Sequence, residues 1–129
     1  MKDNQIFQIA FITAILGLAG MIIFSNEITP QELKIRDIKQ NHIGETITIK
    51  GVINSVEANR NNLYVLSVID DTGEIKLVIT GTLASEFIRE GINLKNYENR
   101  QAKIVGNVRE YKGSIELIAE NTKSIKIIN

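Results

Sequence analysis

The stretch "IDDTGEIKLVITG", Ile69–Gly81, decides how this chain is read. Its Asp-Asp-Thr-Gly centre either presents a reactive carboxylate behind an apolar strand or closes a tight turn between two strands. Local chemistry favours the turn. An Asp side chain accepts hydrogen bonds from the backbone just ahead of it, and Gly73 tolerates the positive φ expected there. The flanks agree, since "LYVLSVID" (63–70) and "EIKLVIT" (74–80) are apolar runs of strand length, rich in β-branched residues.

Further strands lie on either side of this hairpin. Upstream, "TITIKGVINSV" (46–56) alternates Ile47 and Ile49 against Thr46, Thr48 and Lys50, then passes through Gly51. A glycine inside a strand marks a bulge or a sharp bend, as a small curved barrel requires. The asparagine-rich "ANRNN" (58–62) is the turn from this first strand to the second. Downstream, "GTLASEFIREG" (81–91) carries Leu83, Phe87 and Ile88 as a helical stripe, with Gly91 as its stop. A fourth strand, "RQAKIVGNVREY" (100–111), again holds a central glycine, Gly106. The turn "YKGS" (111–114) leads to a fifth, "SIELIAEN" (114–121), which "SIKII" (124–128) extends after a kink. Ahead of these strands, Leu33–Lys39 reads equally as a short helix or an extended lead-in.

Three strands, a short helix and two strands form a mainly β chain: a five-stranded Greek-key barrel plugged by one helix. The blocks "ITIKGVINSV", "LSVIDDTGEIKLVI" and "AKIVGNVREYKGSIELI" resemble the strands of OB-fold nucleic-acid-binding domains of the tRNA-anticodon-binding type. The resemblance covers about residues 34–127. In such domains an Asp-x-Thr/Ser-Gly turn joins the second and third strands, the position of Asp70–Gly73. Aspartic proteases also carry Asp-Thr-Gly, backed by an apolar-apolar-Gly segment that "IVGN" (104–107) loosely imitates. Only about 30 residues separate the two, too few for the intervening strands and flap, and Glu74 stands where that family keeps a small residue. Asp70, Asp71 and Glu74 also lack the spacing of a calcium loop.

The resemblance places a ligand on the face of the second and third strands, between the loops joining strands one to two and four to five. The first loop offers Arg60, Asn61 and Asn62; the second offers Arg109, Tyr111 and Lys112. Tyr111 supplies a ring for base stacking, while Tyr64, Lys76 and Lys50 would line the floor. Glu57 and Glu110 dilute the positive field, and few aromatics are available, so weak binding of single-stranded DNA or RNA is expected.

The 19 residues Ile6–Phe24 contain no charge and include six isoleucines. As a helix they reach about 28 Å, close to the hydrocarbon thickness of a bilayer. This predicts a retained single-pass membrane anchor. Cleavage as a signal peptide at the small residues Gly17-Leu18-Ala19 is the competing reading. Lys34, Arg36 and Lys39 outweigh Lys2, which favours a cytoplasmic soluble domain. The expected organisation is an anchor at 1–25, a linker and lead-in at 26–44, and the barrel at 45–129. In architecture the chain also resembles the haem chaperone of cytochrome c maturation, an anchored OB barrel, and "FIREG" (87–91) adds to that likeness. The tail "SIKIIN" has no His or Tyr to hold haem, so this likeness implies an extracytoplasmic protein- or ligand-interaction module instead.

Composition narrows the chemistry. The formal charge is zero, with 15 basic and 15 acidic residues; there is no cysteine and a single histidine. Thiol catalysis, thiolate metal sites and paired-histidine sites are excluded. His42 is read as a surface or capping residue. No catalytic residue, metal ligand or cofactor is assigned, and a protein partner is left open.

Overall fold

The computed structural model describes residues 30–128, which form seven strands, one α-helix and four 3-10 turns. The apolar run Ile6–Phe24, and the anchor expected there, lie outside the described residues. Among the described residues no helix is long and apolar enough to cross a membrane.

The strands are β1 (Gln31–Glu32), β2 (Thr46–Ala58), β3 (Tyr64–Ile69), β4 (Glu74–Ile79), β5 (Gln101–Tyr111), β6 (Ser114–Ala119) and β7 (Ile125–Ile127). Antiparallel ladders join β2 to β3, β3 to β4, β5 to β6 and β2 to β5. A parallel ladder pairs Lys76, Leu77 and Val78 of β4 with Glu116, Leu117 and Ile118 of β6. These pairings close β2 to β6 into the expected five-stranded barrel. The short β1 and β7 flank it, pairing with β2 and β5.

Strand β2 closes the barrel because it changes partner along its length. Its first half pairs with β5 through Thr46–Val52, and its second half with β3 through Val52–Ala58. Gly51 sits at the changeover, where a Cβ would lie 2.6 Å from the Ile69 carbonyl oxygen. Only glycine permits that approach. Three residues later a bulge at Asn54 shifts the inward phase, so that Ile47, Ile49 and Ile53 are followed inward by Val56 rather than Ser55.

The interior is aliphatic. Ile47, Ile49, Ile53, Leu66, Leu77, Ile79, Ile104 and Leu117 are fully buried, with Phe87 as the largest side chain among them. Phe87 comes from α1 (Gly81–Arg89), which follows β4 directly and is capped by the Thr80 hydroxyl, an acceptor for the Leu83 N–H. Gly91, at φ +76°, ends the helix. Its N–H donates to the Ile88 carbonyl, and the Ile92 N–H donates to the Phe87 carbonyl, closing a Schellman motif. The buried face is Leu83, Ala84 and Phe87. Ile88, expected in that stripe, is 69% exposed, because it falls one residue past the face that Phe87 turns inward.

The lead-in is neither a regular helix nor an extended strand. Two 3-10 turns, Ile35–Asp37 and Gln40–His42, carry it onto the barrel, and Ile35 and Ile38 join the core. His42 caps its own turn by accepting from the Lys39 N–H at 3.0 Å. Residues 31–44 therefore belong to the packed unit and do not merely lead to it.

Candidate functional site

The Ile69–Gly81 stretch is a turn, and Asp70 builds it. Asp70 Oδ1 accepts from the Thr72 N–H at 2.7 Å, the Thr72 hydroxyl at 2.6 Å and the Gly73 N–H at 3.0 Å. Its Oδ2 accepts from the Ile35 N–H at 2.8 Å, fastening the lead-in to the turn. The Arg36 N–H donates to the Thr72 hydroxyl, and Lys34 pairs with Asp71 at 3.0 Å. Burial pushes the Asp70 carboxyl pKa up, but these hydrogen bonds outweigh it and hold the group below its ordinary value. Asp71, the Asp of the Asp-Thr-Gly tripeptide, is exposed and takes part only in the Lys34 pair among the contacts described above. The expected positive φ at Gly73 is absent: among the described residues the left-handed glycines are Gly44, Gly91 and Gly113. With the Asp70 side chain satisfying the turn's donors, the backbone has no need of that conformation.

The proposed binding residues divide into groups. Across the β3–β4 ladder, Tyr64 opposes Ile79 at one end and Ile69 opposes Glu74 at the other, about 17 Å away at the usual strand rise. The β2–β3 loop lies at the first end, where the Asn61 carbonyl approaches Gly81. Arg60, Asn61 and Asn62 are exposed there. The loop is shaped by Asn59, whose side-chain oxygen accepts from the Asn61 and Leu63 N–H groups. Tyr64 is in phase with Leu66 and Val68, so it turns inward and packs against the core beside α1, not on the outer floor. Lys50 lies on β2, exposed and paired with Glu32 at 3.6 Å, and lines another concavity with Val52, Ile69 and Gln101.

At the second end the remaining candidates converge. The parallel β4–β6 ladder brings the β5–β6 hairpin beside the start of β4, opening a concavity of about 550 Å³ lined by Glu74, Lys76, Tyr111, Lys112 and Glu116 among others. Tyr111 is 52% exposed, with Arg109 at 5.9 Å and Lys112 Nζ at 5.4 Å from its ring centroid. Such contacts orient the half-exposed ring. The hairpin is a two-residue turn with both central residues left-handed, Lys112 at φ +50° and Gly113 at φ +82°. Lysine is strained in that conformation, and here it carries the most prominent charge of the loop.

Cross-strand partners that the sequence does not announce complete the site. Arg109 pairs with Glu116 at 3.7 Å, and the Ser67 hydroxyl donates to Glu74 Oε1. Both contacts bridge neighbouring strands, so only the register reveals them. On the same outer surface Val65, Val78 and Ile118 are aligned across β3, β4 and β6. Val78 is 3% exposed although it stands outside the core cluster, which makes this part of the face apolar.

No family model matches the chain. An uncharacterised protein of Methanocaldococcus jannaschii is 27% identical over 125 residues, covering 91% of this chain and 60% of that protein. The chain thus spans about three fifths of the length of this relative. Among solved structures, an OB domain from Methanosarcina mazei superposes with a TM-score of 0.61 at 21% identity, covering 78% of this chain and 86% of that domain. The second OB-fold domain of replication protein A from Methanococcus maripaludis gives 0.53 at 20%, covering 76% and 95%. Aspartyl-tRNA synthetase from Entamoeba histolytica gives 0.63 at 15%, covering 80% of this chain and 22% of the enzyme. The barrel has the OB fold.

Proposed function

We propose that this barrel binds single-stranded nucleic acid weakly and without catalysis, and that the Ile6–Phe24 run tethers it to a membrane with the barrel on the cytoplasmic side. The observation that carries the binding reading is the convergence of Lys76, Arg109, Tyr111 and Lys112 at one end of the β4–β6 surface. A stacking ring between cations is how OB folds hold a strand without reading its whole sequence. The likeness to an OB-fold domain of replication protein A and to part of a tRNA synthetase is consistent with this role. The non-catalytic reading rests on Asp70, whose oxygens are committed one to the turn and one to the Ile35 N–H, and on Asp71, exposed in a surface ion pair.

The test is fluorescence anisotropy of a labelled single strand with the full chain in a non-ionic detergent. Three cations predict a log–log salt slope of about −2, at roughly −0.7 per phosphate contact. Joint replacement of Arg109 and Lys112 by alanine should weaken binding and flatten the slope. Tyr111→Ala should weaken it about tenfold with the slope unchanged, because stacking releases no counterion. Lys123 and Lys126 are suitable charge controls. Lys95 is not, because it holds Glu98 at 2.8 Å and the Val56 carbonyl at 3.0 Å. Equal losses in control and hairpin variants, or no binding at low salt, would move the reading to a protein-interaction module. The tether is checked by whether the full chain stays with membranes through alkaline carbonate and is released by detergent.

A further inference from the structure

The concavity beside Tyr111 contains two carboxylates, which a surface built only to hold phosphates would exclude. Each one repels the strand that the neighbouring cations attract. Glu116 has a structural partner: it is only 12% exposed in its side chain and sits against Arg109. Glu74 is different. It is exposed at the first residue of β4, yet it is held in place by the hydroxyl of Ser67, itself nearly buried on the adjacent strand. An ionised carboxylate offers about four acceptor positions and no donor, and Ser67 occupies one of them. Glu74 and Tyr111 line the same concavity, so a base resting on the ring shares that space with an oriented pure acceptor.

Resting on the nucleic-acid reading above, we infer that Glu74 selects the base bound at Tyr111, favouring bases whose edges present N–H donors, with Ser67 as its positioning residue. Cytosine offers its N4 amino group, adenine its N6 amino group, and guanine a parallel N1–H and N2–H pair that matches both oxygens of one carboxylate. Uracil and thymine offer a single N3–H between two carbonyl oxygens, which face the carboxylate with like partial charge. The site is therefore selective against uracil and thymine. It reads the base and not the sugar, so the preference holds for DNA and RNA alike.

The experiment measures Kd of the full chain in non-ionic detergent for labelled oligo-dC, oligo-dA and oligo-dT of about twelve nucleotides at fixed salt. The expected result is oligo-dC and oligo-dA bound about tenfold more tightly than oligo-dT. In Glu74→Gln the side chain can both donate and accept. Oligo-dT binding should then strengthen while oligo-dC binding does not, bringing the ratio near one. Ser67→Ala should reduce the ratio while leaving the salt slope unchanged, a signature that loss of fold would not give. Oligo-rC and oligo-rU should repeat the contrast. A wild-type ratio of one overturns the inference and leaves the binding reading intact. So does a Glu74→Gln protein that binds every strand more tightly by the same factor, since Glu74 would then be only a repulsive charge. Absence of binding to all strands overturns both.

Discussion

Two turns lie at the same end of this barrel and are built in opposite ways. The β3–β4 turn is held by the Asp70 carboxylate, which accepts four hydrogen bonds, three from within the turn and one from the lead-in. The β5–β6 turn takes its shape from left-handed backbone at Lys112 and Gly113, and its tip contacts are the cations around the Tyr111 ring. The first satisfies its polar groups internally and presents little to a ligand. The second exposes a ring and a strained lysine. A motif that looks catalytic in the sequence is thus a fastening, while the plainer "YKGS" carries the chemistry available for binding.

The sharpest way to break this contrast is to remove the fastening. Asp70→Ala leaves three backbone N–H groups and the Thr72 hydroxyl without their acceptor, and should cost about 2–3 kcal/mol in urea unfolding. A loss no greater than that of Tyr111→Ala would show the two turns to be equivalent. Acid probes the same carboxylate. Its pKa is depressed on folding from an ordinary value of 3.8, so its contribution is fully present above that value and is lost as pH falls through the lower folded one. Stability of the wild type should drop as pH falls below 3.8 and through the lower folded value, and Asp70→Asn should flatten that part of the profile. At the other turn, Lys112→Gly relieves a left-handed side chain and should stabilise the fold by about 1 kcal/mol while weakening nucleic-acid binding. A destabilised Lys112→Gly protein would show that the lysine serves the fold. The smallest effect belongs to Asp71→Asn, which breaks a pair 58% and 73% exposed in its side chains. Its unfolding free energy should stay within about 0.5 kcal/mol of the wild type.

Much of this architecture is legible along the chain because it rests on local rules. The alternation of Ile47 and Ile49, the bend at Gly51 and the stop at Gly91 are each where the residues place them. What the sequence leaves hidden depends on register. Arg60 and Lys112 are equally plausible loop residues, but the parallel β4–β6 ladder alone decides that Lys76 and Tyr111 share a concavity that Arg60 does not line. Ser67 and Glu74 are seven residues apart and meet only because β3 and β4 pair as they do. Tyr64 misleads for a related reason: its phase with Leu66 commits the ring to packing. The burial of Ile35 and Ile38 is invisible to periodicity, since 3-10 turns follow neither the strand nor the α-helix repeat. Gly73 shows the reverse error, a glycine credited with a conformation that its neighbour's carboxylate makes unnecessary.

The lead-in also sets how the barrel bears mechanical load. Tension arriving from the chain ahead of Pro30 first meets the Thr48 hydroxyl on the Pro30 carbonyl, then the Leu33 N–H on the Thr48 carbonyl, then the Ile35 N–H on Asp70. These bonds are spaced along the segment, so a pull breaks them one after another before it reaches a strand that closes the barrel. The segment is expected to yield ahead of the barrel. Stretching a single molecule from this end should give a short early extension ahead of the main unfolding event, and Asp70→Ala should lower the force at which that extension appears.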